Sequence, residues 1–252
     1  DNPSGTNYNA YVTKWYDQSG NSNDAAQTTH ANMPQIASTG AVITENGKPA
    51  VDFDGSADFL NIDYTTSFAN IGIWSVHAGT DGAITSSYPG SAPKNFLSQD
   101  MTSNAYRSII RNAGNSLKQQ STGTTSDTQV LQHMHYDRAS LGIAVDGETM
   151  QQVSFANVGD IATSAAGIDI GRAPANQSYI NGTIQEILVW NADQSSNRSA
   201  IEGNINAHFQ IGNFGTPTSG LLSTYTGAAA AYSVRQLSNT ASKCMRIVVD
   251  SA

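Results

Sequence analysis

The chain has 252 residues, of which only 13% are charged; 12 Lys and Arg stand against 20 Asp and Glu, a formal charge of −8. That balance supplies no basic face to neutralise phosphates and argues against nucleic acid as a partner, and no apolar run approaches the roughly 18 residues of a membrane-spanning helix. Cys244 is the single cysteine, so no internal disulfide framework exists, and a small buried apolar role is expected for it. Polarity comes from Asn, Gln, Ser, Thr and Gly, a composition that suits a virion or extracellular setting.

From residue 8 to residue 190 the chain reads as short strands between Gly, Asn, Asp and Ser turns, the pattern of an all-β sandwich of two antiparallel sheets. Strands are expected at 11–15, 50–53, 72–76, 106–110 and 130–136. Those at 141–145 and 151–155 flank a hairpin signal, Asp146-Gly147-Glu148, because Gly tolerates positive φ. Trp74 alternates with Val76 and is expected to point into the core, and 184–190 is a further, largely buried strand. One helix is expected near 196–211, capped by Ser195 or Ser196 and stopped by Gly212, with Ile201, Ile205 and Phe209 forming one apolar stripe.

Residues 212–220 read as a linker, and 221–252 carry strand-like stretches at 232–234 and 245–249. So small a segment cannot bury a core of its own. The expected division is therefore a sandwich over 1–214, then 215–252 as a linker plus a strand segment that completes the sandwich of this or a neighbouring unit. No repeat is evident within the chain.

Val12-Thr-Lys-Trp-Tyr-Asp-Gln-Ser-Gly-Asn21, followed by Asn46-Gly-Lys-Pro-Ala-Val-Asp-Phe-Asp54-Gly-Ser-Ala-Asp58-Phe-Leu60, resembles the concanavalin A-like, laminin-G-like domains of phage tail proteins. The opening motif is also similar to the catalytic domain of arabinofuranosidase B, and 182–209 fits the strand-then-helix ending of that superfamily. The resemblance implies a jelly-roll sandwich with one short helix. It also implies an order of motifs in which Ala228-Ala-Ala-Ala-Tyr232-Ser-Val-Arg235 and Cys244-Met-Arg246-Ile-Val precede residue 1. The chain then reads as one period of a tandem array or as a permuted domain, with other copies of itself as partners through strand addition.

A retaining glycosidase needs two carboxyl groups about 5 Å apart. Where the resemblance places the acid, in Asp169-Ile-Gly171-Arg172-Ala173-Pro174, this chain has Arg or Ala, and the nucleophile region has no clear match in 97–140. The expectation is a non-enzymatic structural or adhesion module of a virion or extracellular filament, with a glycan-binding lectin as the alternative and a divergent glycosidase as a second one. If cell-surface glycans bind, the expected face carries His133, His135 and Tyr136, with Tyr106, Arg107 and Arg111 nearby. No cofactor is required, although Asp52, Asp54 and Asp58 could hold Ca²⁺ through hard oxygens. Their competing role is to fix a turn by hydrogen bonds to backbone amides, the role also expected of Asp17 in the corner Asp17-Gln-Ser-Gly-Asn21.

Overall fold

Strands of period two gather alternate side chains on one face, and two such faces close on each other in this molecule. The computed structural model describes residues 8–87, 96–111, 117–161, 167–173, 178–211 and 244–248. The first sheet runs in the order Ala10–Tyr11, Gln35–Ser38, Val51–Asp54, Asn181–Trp190, Ile71–Gly79, Ser126–Tyr136, Ser140–Val145, Gln151–Ser154. The second runs Leu117–Thr122, Ala105–Arg111, Phe96–Thr102, Gly82–Ser87, Ile168–Ile170, Leu60–Ile62, Ala25–Ala26, Lys14–Trp15. Neighbours in both orders pair antiparallel, and one parallel pairing, Ala83 opposite Tyr179, joins the short strand Ser178–Tyr179 to the second sheet. Between them Phe53, Leu60, Ile62, Phe68, Ile73, Ile84, Met101 and Tyr136 make one apolar core. Gly171 bends the chain at φ 88°, and a Cβ there would stand 2.4 Å from the Phe53 ring, so that position requires glycine.

The stretch expected as one strand at 11–15 is two. Ala10–Tyr11 pairs in the first sheet and Lys14–Trp15 in the second, and the chain crosses between them at Val12 and Thr13. Local alternation is the same on both sides of such a crossing, so the sequence does not mark it.

The helix is Arg198–Phe209, entered through one 3₁₀ turn at Ser195–Asn197. It ends at Gln210, which takes the left-handed conformation at φ 57° and returns its N–H to Asn206 O. The expected stop, Gly212, lies outside the described residues. Ile201, Ile205 and Phe209 are buried as the stripe predicts, but against Trp74, Val76, Leu131, Leu188 and Trp190 on the outer face of the first sheet. Trp74 is thus fully buried without pointing between the sheets. On its strand it is Ile71 and Ile73 that face the inter-sheet core.

Cys244–Val248 pairs antiparallel with Asn181–Trp190 of the same chain, from Glu186 opposite Val248 to Trp190 opposite Cys244. Val51–Asp54 occupies the other half of that partner strand, from Asn181 to Ile184. The linker expected at 212–220, the strand expected at 232–234 and the side chain of Cys244 lie outside the described residues.

Candidate functional site

His133 and His135 do share a face, the outer one of the first sheet, and the helix covers it. The His133 ring stacks on Trp74 with centroids 3.9 Å apart, and the residue is 1% exposed. Its Nδ1 lies 3.5 Å from Glu202 Oε1, which accepts a hydrogen bond from Arg198 Nε at 2.7 Å. Burial lowers the His133 pKa to about 4. Burial would raise the Glu202 carboxyl, yet the His133 ring beside it and the hydrogen bond from Arg198 hold it below the ordinary range. His135 is buried between Asp137 at 3.6 Å and Asp193 at 3.8 Å.

Tyr136 and Tyr106 point the other way, into the inter-sheet core, where the Tyr136 hydroxyl donates to Gly159 O. Arg107 and Arg111 belong to the second sheet. The six residues expected to make one glycan surface therefore do not meet. Alternation assigns a residue to a face of its own strand, but it tells neither which sheet the strand joins nor what lies over that face.

Asp54 is occupied by its turn. Its Oδ1 accepts from the amides of Ser56 and Ala57 at 2.8 Å and of Asp58 at 3.1 Å, and Ser56 Oγ donates to its Oδ2. Burial opposes ionisation there, but these bonds outweigh it and hold the Asp54 pKa at about 2. Burial, with the Asp54 charge behind it, pushes Asp58 up to about 6 and also raises Asp52. Among the described residues no group of three or more His, Cys, Asp or Glu side chains is arranged to hold a metal ion. Asp17 binds the Ser19 and Asn23 amides and the Ser19 hydroxyl, again as a corner.

The outer face of the second sheet carries a polar row that runs straight across six strands. Lys14 stands opposite Ala26, Ala26 opposite Asn61, Asn61 opposite Asp169, Asp169 opposite Ser86, and Ser86 opposite Ser98. At about 4.8 Å per strand the row is about 24 Å long. Asn61 Nδ2 donates to Asp169 Oδ1 at 2.8 Å and Arg172 Nε to Asp169 Oδ2 at 2.8 Å, while the Arg172 guanidinium lies 3.3 Å above the Phe59 ring. Farther along, Arg107 holds Asp100 through both carboxylate oxygens at 2.7 and 3.1 Å, and Ser98 Oγ donates to the same carboxylate. At the opposite end Tyr16 is 61% exposed, with Lys14 Nζ 5.6 Å from its ring centre.

None of Tyr16, Asn61, Asp169 and Ser86 was expected as a site residue, because no motif joins them. They are brought together by strand register between segments far apart in sequence. Lys14-Trp15-Tyr16 did hold a local signal, since buried Trp15 forces its two neighbours outward.

No family model matches the chain, and no curated protein does. Among solved structures, the binding domain of botulinum neurotoxin serotype G is similar at TM-score 0.51 and 9% identity, over 79% of this chain and 52% of that one. A heptameric SAP-like pentraxin from Limulus polyphemus reaches TM-score 0.51 at 10% identity, over 70% of this chain and 91% of its own. Domains LG4-5 of the mouse laminin alpha1 chain give 0.48 and 11% over 62% of this chain and 44% of theirs. The chain spans about half the length of the toxin and laminin structures. With two largely antiparallel sheets, a shared core and one short helix, the chain has a concanavalin A-like jelly-roll fold.

Proposed function

We propose that the chain is a non-catalytic adhesion module of a virion or extracellular assembly, and that it binds uncharged glycans along the outer face of the second sheet. The observation that carries this reading is the polar row ending at exposed Tyr16. Sugars are recognised by an aromatic ring for stacking and by fixed planar groups for their hydroxyls. Tyr16 offers the ring; half-buried Asn61, Asp169, Arg172 and Arg107 offer amide, carboxylate and guanidinium planes already fixed by hydrogen bonds, Arg107 by buried Asp100. Each guanidinium faces a carboxylate, so the row carries no net positive charge to attract an acidic sugar. Both Asp169 oxygens are engaged by Asn61 and Arg172, which supports adhesion over general acid catalysis.

A glycan array on folded protein, repeated with Tyr16→Ala, tests the reading. Binding to neutral oligosaccharides that the substitution abolishes is the expected result. No binder above background would remove it. Release of nitrophenol from an arabinofuranoside, lost on a single Asp or Glu substitution, would overturn the non-catalytic part.

A second reading concerns assembly. Cys244–Val248 fills the part of the Asn181–Trp190 edge that Val51–Asp54 leaves open. A strand held by one edge can be supplied equally by another copy, giving a head-to-tail filament. Light scattering distinguishes the cases: oligomers that disappear on deletion of 221–252 support exchange between copies, and a monomer at high concentration rejects it.

A further inference from the structure

The interior of the sandwich is not apolar throughout. Ser75, His77, Thr85, Ser87, Gln99, Ser108 and Gln132 are each at most 1% exposed. Ser75 stands opposite Gln132 in the first sheet, and Thr85 opposite Gln99 opposite Ser108 in the second. The two groups meet across the gap, for Gln99 Nε2 donates to Gln132 O at 3.1 Å and Gln132 Nε2 to Arg107 O at 3.1 Å. His77 Nδ1 shares a hydrogen bond with Ser75 Oγ at 3.1 Å. The result is one continuous polar seam spanning both sheets.

Among the described residues, six atoms of that seam have no hydrogen-bond partner: His77 Nε2, Thr85 Oγ1, Ser87 Oγ, Gln99 Oε1, Ser108 Oγ and Gln132 Oε1. The amide orientations are fixed, because each Nε2 is committed to a backbone carbonyl and each Oε1 is therefore the acceptor left over. Left bare, six buried polar atoms would cost as much as the whole net stability of a domain. Sheets pack about 10 Å apart; Phe53, Ile62 and Tyr136 reach into that gap elsewhere, whereas Ser75, Thr85 and Ser108 carry short side chains.

We infer that this seam is a built site for a cluster of ordered water molecules between the two sheets. Water suits it because a hydrogen-bond donor is what two amide oxygens and three hydroxyls have in common use for, and buried waters take about three such partners each. A bound cation suits it less, since none of the six atoms is anionic and a charge buried without a counter-charge is strongly disfavoured. The His77 ring is neutral as well, its pKa lowered by burial to about 3. The cluster lies directly behind the polar row: Thr85 and Ser87 flank Ser86, and Gln99 lies between Ser98 and Asp100.

A high-resolution crystal structure of the whole chain, from crystals grown with rubidium chloride, tests the inference together with water–protein Overhauser NMR in solution. Expected are ordered waters within hydrogen-bond distance of His77 Nε2, Gln99 Oε1 and Gln132 Oε1, with water cross-peaks to the His77 ring that are weakened in Ser108→Val. Side chains closed on one another with no density between them would overturn it. So would an anomalous rubidium peak at the seam, which would make it a cation site.

Discussion

On the first sheet the side chains that alternate away from the inter-sheet core are Trp74, Val76, Leu131, His133, Leu188 and Trp190, and the helix lies over them. On the second they are Lys14, Asn61, Asp169, Ser86, Ser98, Asp100 and Arg107, and among the described residues no helix covers them. The alternation is the same in both; the chemistry is not. Large aromatic and aliphatic groups gain by burial and draw a helix onto the first face, whereas paired charges and amides gain little from an apolar cover and draw none. The first outer face is therefore a second core; on the second, Ser86, Ser98 and Asp100 are buried, while Lys14 is exposed and Asn61, Asp169 and Arg107 are half-buried.

Trp74→Ala tests the second core most severely. Trp74 is fully buried, stacked on His133 and edge-on to Trp190 at 5.3 Å. Its removal should cost about 3–5 kcal/mol in urea unfolding. A loss under about 1 kcal/mol would mean that the helix adds little to the fold.

Acid should attack the covered faces next. His133 titrates at about 4 and His77 at about 3 in the folded chain, against about 6.5 unfolded. Because the folded values are depressed, the stability from burying neutral rings is complete above about pH 6.5 and is lost as pH falls toward 4 and then 3. For His133 that amounts to something on the order of 3 kcal/mol. Glu202, Arg198 and His135 face His133 and shape the lower end of that window. Melting temperature followed from pH 7 to pH 4 should fall steeply, and His133→Gln should flatten the curve. A wild-type curve that stays level over this range would contradict the burial of both rings as neutral groups.

How much of this was legible in the sequence differs between the two faces. The all-β sandwich, the helix and its buried stripe of Ile201, Ile205 and Phe209 follow from periodicity, which acts over one element at a time. The destination of Trp74, the burial of His133 and the splitting of 11–15 between two sheets do not, because they depend on which element lies across a face. The polar row was legible least, since Lys14, Asn61, Asp169 and Ser86 are joined only by register. The Asp54 turn was legible as one of two roles, and its geometry follows from Asp-Gly-Ser chemistry alone.

Gly171→Ala strikes the boundary between core and surface, where the chain turns beside Asp169 and Arg172. Positive φ disfavours any Cβ, and the Phe53 ring has nowhere to retreat within the core. A cost of about 1–3 kcal/mol is expected, read as a shift in the denaturant midpoint. An unchanged midpoint would show that the turn relaxes freely.

The smallest effect on stability should accompany a clear effect on binding. Half-buried Asn61 donates a hydrogen bond to Asp169, so Asn61→Ala should cost about 1 kcal/mol in urea unfolding. The same substitution removes an amide plane from the middle of the row and releases one Asp169 oxygen to water. Affinity for a neutral oligosaccharide should then fall by about tenfold, the equivalent of about 1.4 kcal/mol. His135→Ala on the covered face is the matched control: it should lower the melting temperature and leave that affinity unchanged, because His135 is buried beside Asp137 and Asp193. The comparison between the faces rests on this double dissociation. If His135→Ala weakened binding and Asn61→Ala did not, the roles of the two outer faces would have to be exchanged.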